Sequence, residues 1–294
     1  MGLNKDFISV ETYINHHEVY KYDSYIFGNS RSMFYKVNDW KKHINSDRCF
    51  HFDASNESIY GIERKFQFLE DKGAAIKNAL IVLDQDELSI IENGKDHFDE
   101  KDPELSKENK IMFQLRYLQD FAESDFFCVY VYFLFAHKLT PKMEKKGLFT
   151  YFMANYDCIS NEISFPNVDS QIEKNKYGFY AHRMYYFYDR GNIQKYSNRT
   201  IGLVQQKMLK NIKRILVKNN TVFRIVISPL YNQLKFDTTD LKTMYSIFGK
   251  ENVYDFSGIN DITQDMYNYY EYSHYRPFIA NRIMDTIYKN NVLK

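Results

Sequence analysis

Ala79-Leu-Ile-Val-Leu83 is a run of five apolar residues with no polar alternation. A strand that is apolar on both faces must be covered on both faces, the condition of a parallel sheet held between helices. The flanking chain agrees. Residues 23–30 read as a short buried strand ending in a turn, and residues 49–55 as a second strand. Ile59 to Asp71 reads as an amphipathic helix, with Ile62, Phe66, Phe68 and Leu69 at helical spacing and Gly73 closing it. After residue 200 the pattern returns. A helix from about Ile201 to Lys218 leads to a strand at Val222–Ser228, stopped by Pro229. A helix at Thr239–Phe248 ending at Gly249, a short strand at Val253–Phe256 and a helix from Pro277 to Tyr288 follow. Strand–helix alternation at both ends predicts a doubly wound α/β domain with a mainly parallel sheet.

The middle is less regular. Ser32 to Ile44 and Leu105 to Glu123 look helical, and Phe126 to Leu139 fits a buried helix or a strand. Residues 147–200 carry no assignable pattern. The simplest organisation is one domain over residues 1–294, with about 90–200 as an insertion or an elaborated face.

Composition narrows the function classes. Net charge is +1, from 39 basic and 38 acidic residues, which leaves no electrostatic footprint for nucleic acid. The acidic stretch from Asp84 to Glu104 reads as an exposed loop. Cys49, Cys128 and Cys158 are too few and too scattered for a disulfide framework. No dinucleotide fingerprint, phosphate-cradling loop or zinc motif occurs, so no cofactor is expected. Cys49, His51 and Asp53 share one strand face; a hydrogen-bonded core histidine is the favoured reading there over a metal site. His16-His17-Glu18 reads as a solvated patch. The N-terminus lacks an apolar leader, the most apolar stretch is too short to span a bilayer, and Gly2 is followed by Asp6 where a myristoylation signal carries Ser or Thr. The chain as given therefore reads as cytoplasmic, with extracytoplasmic work behind an anchor upstream of Met1 as the alternative.

Two blocks carry the chemistry. Gly28-Asn29-Ser30-Arg31-Ser32 follows the first strand, and Glu271-Tyr272-Ser273-His274 precedes the last helix. A hydroxyl at the C-terminal end of a parallel strand faces the crevice where open α/β sheets bind ligands. A helix starting just after it would favour negative charge there. Serine needs a base, and the base needs an acid to orient it. Three residues apart, on a turn or a helix start, Glu271 and His274 reach the same side.

These blocks resemble the SGNH (GDSL-type) hydrolase superfamily, most closely its branch of polysaccharide O-acetyltransferase-like and D-alanyl-transfer-like proteins. Tyr269 to Pro277 resembles that branch's acid-x-x-His-Tyr-x-Pro block, and Ile225 to Tyr231 its late strand. The likeness covers roughly residues 20–90 and 200–294. It implies a flavodoxin-like three-layer α/β/α fold and ester chemistry, with Ser30 as nucleophile, His274 as base and Glu271 as acid. It implies an oxyanion hole built from the Ser30 N–H and one from the Asn56-Glu57-Ser58 turn, where the family commonly has glycine. It also implies a carbohydrate ester or acyl donor as substrate and a membrane-bound acyl-transfer partner.

Three departures stand out. Asn29 replaces an Asp, Glu271 replaces an Asp, and Leu83-Asp84-Gln85-Asp86 lacks the third-block Asn, with Gln85 as the nearest substitute. Losing one oxyanion donor costs about 3 kcal/mol in a transition state. An α/β-hydrolase elbow does not fit, because Ser32 stands where its second glycine belongs. Arg31 and Arg276 flank the two blocks. They are placed to hold an anionic substrate group, or to pair with Asp23 or Glu271. The Tyr267–Tyr275 and Tyr180–Tyr188 clusters suit a glycan groove, with part of their rings in the core.

Overall fold

The computed structural model describes residues 4–95, 99–123, 125–138, 140–141 and 154–289. Met1 and Gly2, where the leader and lipidation readings begin, lie outside the described residues, as do Leu139 and residues 142–153 of the middle segment.

Five strands form one parallel sheet: β1 (Ser24–Phe27), β2 (Cys49–His51), β3 (Asn78–Leu83), β4 (Val222–Ile227) and β5 (Val253–Asp255), in the order β2-β1-β3-β4-β5. β3 is buried along its whole length, as its unbroken apolar run requires. Its alternate residues feed two separate cores. Ala79, Ile81 and Leu83 join Tyr25, Phe27, Ile225 and Ile227 on one face. Leu80 and Val82 join Ile26 and Val226 on the other. Helices cover both faces, so the domain has three α/β/α layers. The first core is closed by α1 (Lys5–Tyr20), α2 (Ile59–Asp71), and two later helices, Leu203–Lys218 and Thr238–Phe248. The C-terminal helix, Pro277–Tyr288, closes the second through Ile279, Ile283 and Ile287. Each such side chain withdrawn from water contributes about 1.5–3 kcal/mol.

Local rules explain several boundaries. The Ser58 hydroxyl accepts from the Gly61 N–H at 2.9 Å and starts α2. The expected helix over Ser32–Ile44 is broken into a single 3-10 turn (Ser32–Phe34), a four-residue helix (Val37–Trp40) and another 3-10 turn (Lys41–His43). Ser32 Oγ bonds back to the Asn29 carbonyl at 2.7 Å, and Trp40 is pinned by its Nε1–H to the Tyr288 hydroxyl at 2.9 Å. The helix expected over Leu105–Glu123 is also split, because Lys107 takes a left-handed φ of 61° between Pro103–Ser106 and the helix Lys110–Glu123. Asp125–Ala136 is a helix but not the buried one expected: Val129 is buried, whereas Phe127, Tyr130, Tyr132, Phe133, Leu134 and Phe135 are exposed. No helix among the described residues is long and apolar enough to cross a membrane.

α1 has no counterpart in the sequence reading. Its inner side buries Lys5 and Asp6 with Ser9, Val10 and Tyr13, so it lacks the usual apolar stripe. The charges are balanced by a buried ionic cluster. Lys65 Nζ lies 2.6 Å from Asp6 and also pairs with Glu57, and Lys101 reaches Glu57 at 2.9 Å and Asp6 at 3.6 Å. Asp102, at the edge of this region, is pushed up to about 6, chiefly by burial.

Gly28 marks the exit from β1. Its φ is 146°, and a Cβ there would stand 2.6 Å from the Val82 carbonyl oxygen and 2.9 Å from the Ser32 Cβ. Gly28→Ala is expected to cost about 1–3 kcal/mol through backbone strain and overpacking, read as a lower thermal midpoint.

Candidate active site

Open α/β sheets bind ligands beyond the C-terminal ends of the strands, where the strand order reverses. In this sheet that point lies between β1 and β3. Ser30 follows β1 and Asp84 follows β3. Glu271 and His274 occupy neither a helix start nor a loose loop. They face each other as cross-strand partners in a small antiparallel hairpin, β6 (Tyr269–Glu271) and β7 (His274–Tyr275), with Tyr272 and Ser273 as its turn.

The hairpin is stapled from three directions. Tyr180 Oη donates to the Tyr269 carbonyl at 2.7 Å and sits 3.2 Å from that of Tyr267. Tyr269 Oη donates to the Pro229 carbonyl at 2.9 Å, just past β4. Tyr270 Oη donates to Asp169 in the helix Pro166–Lys174. The middle segment therefore supplies part of the wall around the site, and fully buried Tyr275 anchors the hairpin to the second core.

Ser30 Oγ lies 2.7 Å from His274 Nε2. His274 Nδ1 is hydrogen-bonded to Glu271 Oε1. A carboxylate only accepts, so the proton sits on Nδ1 and Nε2 is left to accept from the serine hydroxyl. Glu271 Oε2 accepts from the Ser273 N–H at 2.7 Å, which fixes the carboxylate in the plane of the turn. Burial alone would raise the Glu271 pKa. The His274 hydrogen bond and charge, the Ser273 N–H and the charge of Arg31 outweigh it, holding the carboxyl below its ordinary range. Ser30, His274 and Glu271 are all partly exposed.

The other residues named from sequence are placed differently. Ser58 is buried as the α2 cap, and its own N–H bonds the Glu57 carboxylate at 2.9 Å, so neither group faces Ser30. The Ser30 N–H, expected in an oxyanion hole, donates to the Ser55 carbonyl at 3.3 Å. Gln85 opens the short helix α3 (Gln85–Ser89), half-buried, with no bond to Ser30 or His274. The segment from Asp84 is no exposed loop at its start. Asp84 is buried and caps α3 through the Asp86 and Glu87 N–H groups, at 2.8 and 3.3 Å. Burial and the nearby Asp84 charge push the Glu87 carboxyl well above its ordinary range.

Arg31 pairs with Asp84, not with Asp23 or Glu271, and its Nε donates to the Ser273 carbonyl at 3.1 Å. Asp23 sits at the other end of β1 with Arg48 and Lys77. Arg276 lies 3.9 Å from Asp169 and over the Phe278 ring. The turn after Ser30 is one 3-10 turn, so the helix dipole expected there is small. His51 donates from Nε2 to the Ser32 carbonyl at 2.9 Å, while Asp53 is 3.4 Å from Lys5. Among the described residues no three metal-ligating side chains form a group.

Clefts of about 210 and about 540 Å³ open at the opposite end of the sheet around Arg48, and neither includes Ser30 or His274. Nearer the site, the tyrosine clusters divide as an amphipathic surface does. Tyr180, Tyr269, Tyr270 and Tyr275 are core. Tyr272 and Tyr188 stay 52% and 49% exposed, with ring centroids 6.3 Å apart.

No protein-family model matches this chain, and no curated protein matches it.

Proposed function

We propose that the protein is a serine-dependent esterase or O-acyltransferase acting on a carbohydrate ester through an acyl-Ser30 intermediate, as in the SGNH hydrolases it resembles. The carrying observation is the Ser30–His274–Glu271 relay, with its 2.7 Å serine–imidazole contact. Ser30 Oγ attacks the ester carbonyl as its proton passes to His274 Nε2. The imidazolium is stabilised by Glu271. The tetrahedral intermediate collapses, and His274 returns the proton to the departing alkoxide. Water or a sugar hydroxyl, deprotonated by the same nitrogen, then releases the acyl group. Water makes the protein an esterase; a sugar makes it a transferase, with a membrane-bound acyl donor as its partner.

The oxyanion needs a donor. At 3.3 Å the Ser30 N–H to Ser55 bond is longer than the usual N–H···O range, so exchanging it for an oxyanion sacrifices little. The same bond favours a second reading, a glycan-binding protein that keeps the fold without turnover.

Exposed Tyr272 and Tyr188 support the carbohydrate assignment. Tyr188 is held edge-on to Tyr231 at 5.3 Å, so its exposed face is pre-set for a sugar ring. Tyr272→Ala is expected to raise KM for a saccharide ester about tenfold, leaving the rate with a small aryl acetate near wild type. A fluorophosphonate probe tests the reaction class: it should label Ser30. Glycan binding without labelling would establish the second reading.

A further inference from the structure

Asp84 stands in the stretch where the resembled family carries a side-chain oxyanion donor, and here it does other work. Its Oδ1 caps α3. Its Oδ2 takes both the Asn29 Nδ2–H, at 2.9 Å, and the Arg31 guanidinium. Arg31 is in turn bound from its backbone, where its N–H donates to Asn29 Oδ1 at 2.9 Å. Its side chain is 15% exposed and that of Asp84 1%. From this anchorage the Arg31 Nε–H reaches the carbonyl of Ser273, a turn residue of the hairpin that carries acid and base. Three separate segments of chain, after β1, after β3 and at the hairpin turn, are thus joined through one guanidinium.

We propose that Arg31 is a positioning residue that sets the His274 hairpin against Ser30, with Asp84 as its fixed point. The inference rests on the Ser30–His274 relay proposed above. Arg31 is next to the nucleophile in sequence, and its second contact is next to the base. Arg31 therefore ties the segment of the serine directly to the turn beside the imidazole. Arginine is required because the two contacts use different nitrogens of a planar fork; lysine has one point charge and cannot hold both at these angles. The tyrosine staples hold the strands of the hairpin, and Arg31 adds a side-chain contact at its turn; a displacement of about 1 Å at a reacting pair costs roughly 100-fold in rate.

The experiment compares wild type, Arg31→Lys and the charge-neutral pair Arg31→Met/Asp84→Asn. The double variant avoids stranding a buried carboxylate. Three readings are taken: fluorophosphonate labelling rate of Ser30, the kcat and KM split with an aryl acetate, and the downfield proton resonance of His274 Nδ1–H. Arg31→Lys is expected to lower labelling rate and kcat by roughly 100-fold at little-changed KM. Its His274 resonance should broaden while the thermal midpoint stays near wild type. Wild-type kcat together with a sharp resonance in either folded variant overturns the proposal. If wild type itself is not labelled, the relay reading fails, and the resonance still reports whether Arg31 holds the hairpin.

Discussion

Ser30→Ala is expected to abolish ester turnover, with a fall on the order of a millionfold in kcat, because the nucleophile and its proton relay act as one unit. Steady-state hydrolysis of an aryl acetate measures it, and intact-mass analysis should show an acyl adduct in wild type that the variant lacks. Glu271→Gln makes a finer test. It keeps size and hydrogen bonding but presents an amide that can donate, which permits the wrong imidazole tautomer. In a serine–histidine–acid relay such a change costs about 10⁴ in kcat. Glu271 has the longer reach of the two acids, yet its Oε2 is tied to the Ser273 N–H, which takes up that extra reach. Retained turnover in Ser30→Ala would remove the serine mechanism altogether.

Lys65→Met is expected to cost about 3–5 kcal/mol of folding stability, measured by urea unfolding. Lys65 has no exposure and lies between Asp6 and Glu57, with Lys101 on the far side. The Asp6 oxygens receive no aligned hydrogen bond and depend on these ion pairs. Lys65→Met/Glu57→Gln should lose less than Lys65→Met alone, since the second change removes a carboxylate the first leaves short of charge. Acid probes the same cluster. Burial would raise Glu57 and Asp53, but Lys101 and Lys65 at the first and Lys5 and His51 at the second hold both below the ordinary carboxylate range. Carboxylates depressed in the fold contribute stability that is whole above their unfolded pKa, near pH 4, and drains away as pH falls through the folded values. Glu87, raised in the fold, works with the opposite sign. The variant should flatten the acid limb of the stability curve.

The parts of the fold legible in the sequence are those driven by apolar pattern. Ile59–Asp71 appears with the expected ends, since helical spacing and the cap at Ser58 act together. β3 and β4 match because unbroken apolar runs admit few alternatives. α1 is illegible for a physical reason: Lys5 and Asp6 point inward, toward partners 48 or more residues away, and local periodicity carries no trace of them. In the candidate site, Ser30, His274 and Glu271 are legible as residue types and spacing. Their geometry is not, because an acid and a histidine three apart fit a helix turn as well as a two-residue hairpin. The family resemblance puts Ser58 and Gln85 at the oxyanion, and its place beside the serine puts Arg31 at an anionic substrate group or an acidic partner. Each is instead committed to a backbone or side-chain partner, or turned from the serine, and only long-range contacts such as Arg31 to Ser273 reveal it.

Because Glu271 and His274 are cross-strand neighbours of one hairpin, the two groups form one cartridge. Any displacement of that hairpin as a whole would part the serine from the imidazole without separating the imidazole from its carboxylate. On the proposed mechanism such a parting would leave the imidazole correctly protonated and merely standing off. Re-seating the cartridge would then restore the relay with no proton to relocate.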